Sequence, residues 1–389
     1  MRAFPTLLHR LAGASRGTGT QRRRPVHYEE TPMKLTPLAL AATLCAFTAR
    51  AQEDDDCPSD AQMIATMTFA ELDRYEADMR EEEPPFEELC KDATDKDEED
   101  ATGSRRHYCV KRTARYVSYN TDIGAEEYSD ITMYDYAYLP RTGTTWTHRV
   151  RVDIQDVLGE ASKGLTVAPF LYCGSCTDKQ QFQMITIGGP GAYDFAVTLR
   201  MDTEDGRTSQ NTQLILTRFN VDQTPIEMSA PELRCEKLAT KQYAGCRHSA
   251  YPAVFELSVS NPDVDESAKH LRSAQEALAG NPGRWNPDPA LRGAALTRLA
   301  PTKEIEKNRA ASVQLCRKRF PDSAAPGLNC DEYPFAATRQ GAAQSPAEAM
   351  SVRYIDAADN KRVGGLLKGF YCTHARILDG EPFWVSIKE

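Results

Sequence analysis

Between His107 and Val259 the chain is a succession of short runs rich in β-branched and aromatic residues: Tyr108 to Tyr119, Ile131 to Tyr138, Thr145 to Ile154, Thr166 to Tyr172, Phe182 to Ile187, Tyr193 to Met201, Thr212 to Phe219 and Ala253 to Ser258. Turn formers such as Gly188-Gly-Pro-Gly191 and Asp205-Gly206 separate them. Runs of this length and spacing read as strands that bury one face against a second layer of strands. Residues 105–260 are therefore expected to form an antiparallel, jelly-roll-like β-sandwich. Its histidines, His107, His148 and His248, fall in different runs and make no catalytic set.

The flanks limit where such a chain works. From Met33 the sequence reads Met-Lys, an apolar run from Leu35 to Phe47, then Thr48-Ala-Arg-Ala51 before Gln52, the pattern of an export signal over residues 33–51 cleaved near Ala51. Residues 1–32 read as a leader or an over-extended start. Elsewhere no apolar run reaches the ~20 residues of a transmembrane helix, so a secreted or periplasmic product is expected. Ten cysteines remain after Cys45 leaves with the signal, and an even number in an exported chain favours disulfides. Cys235 with Cys246 and Cys316 with Cys330 are the short-loop candidates. Zinc on Cys173-x-x-Cys176 and Cys246-Arg-His248 is the weaker alternative, because no second close pair completes a four-ligand set.

Charge is strongly asymmetric. Residues 53–100 hold twenty Asp/Glu against four Lys/Arg, whereas residues 292–376 hold fourteen Lys/Arg against eight acids. One end repels polyanions and the other attracts them. Residues 52–104 thus read as a solvated acidic segment with a short helical pattern at Met63 to Met79. Asn261 to Gly280 reads as a helix capped by Asp263 or Asp265, and Asn281 to Gly293 as a linker, so that residues 261–299 connect the sandwich to a C-terminal domain over 300–389. A helix over Thr302 to Phe320 opens that domain.

The chemistry-bearing stretch is Cys330-Asp-Glu-Tyr-Pro-Phe-Ala336, followed by Ser351-Val-Arg-Tyr-Ile355, Ala358-Asp-Asn-Lys-Arg-Val-Gly-Gly365 and Arg376-Ile-Leu-Asp-Gly-Glu-Pro-Phe383. Cys330 to Phe335 and Val352 to Ile355 read as strands, Lys361 to Tyr371 as a helix, and Phe383 to Ile387 as a final strand. Asp331 and Glu332, adjacent on a strand, point to opposite faces, so one can serve chemistry while the other makes a structural contact. A helix starting near Asn360, with Lys361 and Arg362, would attract phosphate. Carboxylate and amide oxygens suit Mg²⁺ or Mn²⁺, the cations that neutralise charge in phosphodiester cleavage. His374 reads as a surface residue in a loop.

These ordered motifs resemble the NucA/NucB family of secreted bacterial deoxyribonucleases. The resemblance covers roughly residues 300–389 and implies an α+β chain: the sandwich followed by a small ββα-metal nuclease domain in which an acid stands where related nucleases use histidine. It implies a divalent-metal-dependent endonuclease with DNA as substrate. The family's Asp-Glu-Trp/Tyr-Pro motif falls on Asp331, Glu332, Tyr333 and Pro334, and its Ser-Asp-Asn-Arg segment on Ala358, Asp359, Asn360 and Lys361. Asp331 and Glu332 then supply base and metal ligand, in either order, with Asn360 as metal or phosphate contact and Arg339, Lys361 and Arg362 as phosphate or DNA contacts. The short bacillary enzymes carry an acid pair where this chain has Arg339 and Gln340, so Gln340 offers at most a neutral catalytic oxygen. Two alternatives stay open: a non-catalytic extracellular DNA- or cell-surface-binding protein whose sandwich engages cell wall or a protein partner, and a delivered antibacterial nuclease toxin.

Overall fold

The computed structural model describes residues 83–95, 102–201, 206–218, 221–222, 225–238 and 243–389. The leader, the export signal, Cys57 and the helical pattern at Met63 to Met79 lie outside the described residues. The chain is mostly β. One antiparallel sheet is ordered β1 (Thr102–Gly103), β2 (His107–Asn120), β3 (Ala125–Tyr138), β4 (Thr145–Leu158) and β8 (Gly191–Arg200). The other is ordered β12 (Tyr243–His248), β11 (Ile226–Leu238), β9 (Gly206–Arg218), β5 (Thr166–Cys173) and β6 (Gln180–Phe182), with β7 (Ile185–Thr186) on β5 and β10 (Val221–Asp222) on β9.

Alternation fixes which residues meet. Ile131 lies opposite Ile154 and Met133 opposite Val152 across β3 and β4, and these side chains pack in one core with Val167, Leu171, Leu214 and Leu216 of the facing sheet. Burial of each such side chain contributes roughly 1.5–3 kcal/mol. Successive strands β2, β3 and β4 lie side by side as a meander, so the expected sandwich forms, but without the paired Greek keys of a jelly roll. Phe86, in the short helix α1 (Phe86–Leu89), packs edge-on against Tyr134 at 5.1 Å, and a Cys90–Cys109 disulfide ties this piece of the acidic segment to β2.

Two strands, the long β11 and the short β12, have no counterpart among the sequence-predicted runs. Their inward Leu233, Cys235 and Cys246 join the sandwich core, while Arg234, Glu236 and Arg247 are buried on the opposite side. A strand carrying charges on a buried face does not look like a strand in sequence. Those charges face the C-terminal part of the chain. Arg376 donates through Nε to Glu236 at 2.9 Å, and Arg234 donates to Glu236 at 2.8 Å and also to Glu381. Arg105 donates to Glu381 at 3.3 Å and to the Ala375 carbonyl at 3.0 Å. Arg247, fully buried, donates to the carbonyls of Pro140 at 2.9 Å and His374 at 2.6 Å. Gly245 is required at this seam, because a Cβ there would come within 2.8 Å of the Arg376 guanidinium.

The last run read as sandwich belongs elsewhere. β13 (Val254–Ser258) pairs in parallel with β17 (Pro382–Lys388), whose other edge holds β14 (Leu296–Thr297). The reason is packing: Phe255 faces Phe370 at 5.3 Å and Phe335 at 6.2 Å instead of the sandwich core. The helix α2 (Asp265–Ala277) buries Leu271 and Ala274 in the same second core, which runs from Ala253 to Val385. Asn281 to Gly293 is not a free linker. Its Arg284 bridges to Val385, and Arg292 stacks over Trp285 at 4.2 Å and Trp384 at 5.6 Å. Gly283, at φ +68°, sits where a Cβ would collide with the Tyr333 hydroxyl.

Four disulfides join described cysteines, including both expected short-loop pairs, Cys235–Cys246 and Cys316–Cys330. Cys173 pairs with Cys176, which removes the zinc reading of that motif. Among the described residues no helix is long and apolar enough to cross a membrane.

Candidate active site

Four elements converge beside the second core. β15 (Leu328–Tyr333) pairs antiparallel with β16 (Ser351–Asp356), placing Asp331 opposite Arg353 and Glu332 opposite Val352. The helix α4 (Ala357–Gly369) follows β16 directly, and α3 (Thr302–Arg319) is tied to β15 by Cys316–Cys330. Asn308 of α3, fully buried, donates to the Ala336 carbonyl at 2.8 Å and accepts from Ala343 N–H at 3.0 Å, which fixes the loop after β15.

These elements enclose a pocket of about 140 Å³ whose polar lining includes Asp331, Glu332, Asn360, Arg309 and Lys368. The contribution of α4 is a stripe: Asn360, Val363, Gly364, Leu367 and Lys368 line the pocket at helical spacing. The structure thus brings together three sequence-predicted residues, Asp331, Glu332 and Asn360. Asn360 donates through Nδ2 to the Cys330 carbonyl at 3.2 Å, which leaves its Oδ1 as the oxygen free to face a ligand.

Asp331 is buried, and its Oδ2 lies 2.7 Å from Nδ1 of His270 on α2. A carboxylate can only accept, so His270 Nδ1–H donates to it, and Nε2 lies 2.9 Å from the Ser351 hydroxyl. Burial pushes the Asp331 carboxyl up; the His270 bond and charge pull it back only in part. Glu332 lies on the opposite face, half-buried, and accepts from Ala336 N–H at 3.3 Å. Burial, with the neighbouring Asp331 charge, pushes Glu332 up to about 8. Two adjacent carboxyls both raised by burial are at odds with their surroundings unless positive charge arrives.

Other expected residues have different partners. Gln340 accepts from Thr297 N–H at 3.0 Å and donates to the Thr297 hydroxyl at 3.3 Å, so it secures β14. Arg339 pairs with Asp379 at 2.6 Å. Lys361 and Arg362 lie off the α4 stripe that lines the pocket, whereas Arg309 and Lys368, not singled out in the sequence, line it. The start of α4 is already capped by Asp356, which accepts from Ala358 and Asp359 N–H, so that helix end is not open to an external phosphate. Neither Asp263 nor Asp265 caps α2; Asp359 does so from outside, accepting from Glu266 N–H at 2.9 Å and Ser267 N–H at 3.1 Å. His374 is exposed and sits outside the pocket, as expected of a surface residue, but it ends a short π-helical turn, Phe370–His374, and does not lie in a loop.

His270 is the residue that sequence reasoning missed. It is a lone histidine on a helix assigned to a connector, and only the tertiary fold sets it against Asp331. The single available signal is its spacing four residues before Ala274 of the apolar face, which marks it as inward-facing without naming a partner.

Comparison with known proteins gives one informative match. Residues 292–386 match the family model described as deoxyribonuclease NucA/NucB. No curated protein matches the chain. Among solved structures, a candidate beta-galactosidase from Bacteroides fragilis aligns with TM-score 0.20 and 10% identity over 47% of this chain and 31% of its own. A family 76 glycoside hydrolase from a bovine Bacteroides thetaiotaomicron strain aligns with TM-score 0.16 and 7% identity over 48% of this chain and 34% of its own. A candidate ApaA protein from Bordetella pertussis aligns with TM-score 0.14 and 8% identity over 33% of this chain and 94% of its own. The chain spans about a third of the length of the first two, and no argument rests on these alignments.

Proposed function

We propose that the C-terminal part of this chain is an exported, divalent-metal-dependent endonuclease that hydrolyses DNA phosphodiester bonds. The observation that carries this reading is the pairing of Asp331 and Glu332 with Asn360 in one pocket inside the segment that matches the NucA/NucB family model. The positive balance of residues 292–376 and the disulfides support a polyanion substrate met outside the cytoplasm.

The donor set can be tested against a hard cation. Two carboxylates and an amide oxygen are oxygen ligands of the kind Mg²⁺ and Mn²⁺ prefer, and Mg²⁺ commonly binds through one or two carboxylates while keeping several waters. Among the described residues no group of three His, Cys, Asp or Glu side chains could hold a metal, so an ion here would rest on fewer side-chain ligands and on water. It also resolves the charge conflict, since a cation would return Glu332 to its ionised form. One of the two acids, with the Oδ1 of Asn360, would hold the ion, which when bound neutralises charge developing on the scissile phosphate, and the other acid would serve as base.

The chain's own residues supply the rest. Asp331 and Glu332 divide the roles of base and cation ligand, so that a water is oriented and deprotonated beside the phosphate. Arg309, exposed at the rim, and Lys368 stabilise the phosphate oxygens. Lys361 and Arg362, outside the pocket, hold the DNA backbone further along its length. Conversion of supercoiled plasmid to nicked and linear forms by the oxidised protein with Mg²⁺ or Mn²⁺, abolished by EDTA, tests this. Folded protein that shifts DNA in a gel without cutting it would favour the DNA-binding alternative.

A further inference from the structure

We infer that His270 is a positioning residue for Asp331, so that the working site depends on a helix outside the segment matching the nuclease family model. The inference rests on the nuclease reading above. Helix α2 spans Asp265–Ala277 whereas the matched segment begins at residue 292, yet α2 packs into the same core as β15 and α4. His270 is 1% exposed and outside the pocket lining, so it cannot meet DNA itself. Its two ring nitrogens are both engaged: Nδ1 with Asp331 Oδ2 at 2.7 Å and Nε2 with the Ser351 hydroxyl at 2.9 Å. Two fixed partners leave the imidazole no freedom to rotate, and the bond it donates sets the direction of the Asp331 carboxylate.

The helix itself is anchored to the other wall of the pocket. Asp359, the neighbour of Asn360, caps α2 through the N–H groups of Glu266 and Ser267 at 2.9 and 3.1 Å. Gln275, further along α2, donates to the Tyr333 hydroxyl at 3.1 Å. Three side-chain links therefore tie α2 to β15 and α4 around the carboxylate pair, and only that of His270 ends on a pocket carboxylate. A histidine that merely filled space would not be expected to choose that atom.

The test uses the full mature chain and compares His270→Asn, His270→Gln and His270→Ala for melting temperature and for plasmid-nicking kcat and KM. Asn carries an amide N–H near the Nδ1 position and can still reach Asp331; Gln carries it near Nε2 and reaches Ser351 instead. The expected result is that His270→Gln and His270→Ala lose kcat by roughly 10- to 100-fold, the usual effect of removing an orienting partner, with KM for DNA little changed, while His270→Asn recovers most of the rate. Because Asn and Gln are alike in polarity, the contrast between them survives even if His270→Ala does not fold. Equal rates for Asn and Gln, or losses that track melting temperature alone, would overturn the assignment. If the wild-type protein cleaves nothing, the nuclease reading falls and this inference falls with it.

Discussion

Asp359 of α4 caps a helix to which it does not belong, its Oδ1 accepting from the backbone N–H of Ser267 at 3.1 Å. The helix α2 has no cap from its own sequence, since Val264 stands at its N-cap position. A carboxylate at that end meets both the unpaired N–H groups and the positive end of the helix dipole. Asp359 thereby couples the connector helix to the wall that carries Asn360.

Asp359→Ala is expected to cost about 1–2 kcal/mol of stability and to reduce DNA cleavage by more than that loss explains, because α2 carries His270. Denaturant unfolding and nicking rates on the same sample check it. Loss of stability with an unchanged rate would show that α2 keeps its place without this cap.

Glu332 gives a pH prediction whose sign is fixed. Its carboxyl is raised to about 8 in the fold from an ordinary 4.5, so between those values the folded chain holds a proton that the unfolded chain has released. Stability contributed by the neutral acid is present at low pH and declines as pH rises through this window. In EDTA, Glu332→Gln should melt above wild type at pH 9 and level with it at pH 4. A melting difference that is the same at both pH values would contradict the burial argument.

How much of this was legible in the sequence depends on which face of each element is polar. β2 to β5 followed the apolar runs closely because one face of each packs in the sandwich core. β11 was invisible because Arg234 and Glu236 face a buried seam and break the apolar pattern, and β13 was misplaced because a strand of five residues carries no label for the sheet it joins. Asp331, Glu332 and Asn360 were legible as a set through ordered motifs. Gln340 and Arg339 were grouped with them by sequence proximity, and the structure gives them to Thr297 and Asp379. His270 was illegible because its meaning lies in a contact 61 residues away.

Glu381 should matter for joining the two parts of the chain. It accepts from Arg105 at 3.3 Å, from Arg234, and from Leu378 N–H at 3.0 Å. Glu381→Ala leaves Arg105 without this carboxylate and Arg234 with Glu236 alone, and is expected to destabilise the protein by about 1.5–3 kcal/mol. Glu381→Gln, which retains one acceptor oxygen, should cost less. Chemical denaturation of both variants measures it, and equal stability for Ala and wild type would show that the seam is held by packing alone.

Gln340→Ala separates a structural from a catalytic role. The geometry predicts a loss of about 1 kcal/mol for each broken bond to Thr297 and a nicking rate close to that of wild type at a temperature where both are folded. A large fall in rate without loss of stability would place Gln340 in the chemistry despite its partners.

The most direct measurement is plasmid digestion by the oxidised mature protein with Mg²⁺, with Mn²⁺ and with EDTA, beside Asp331→Ala, Glu332→Ala and Arg309→Ala. The account predicts metal-dependent cleavage by the wild type, its loss in both acid variants and a reduced rate with shallower salt dependence in Arg309→Ala. Cleavage that persists in both acid variants, or that proceeds undiminished in EDTA, would contradict the assignment of the pocket as a metal-dependent nuclease site.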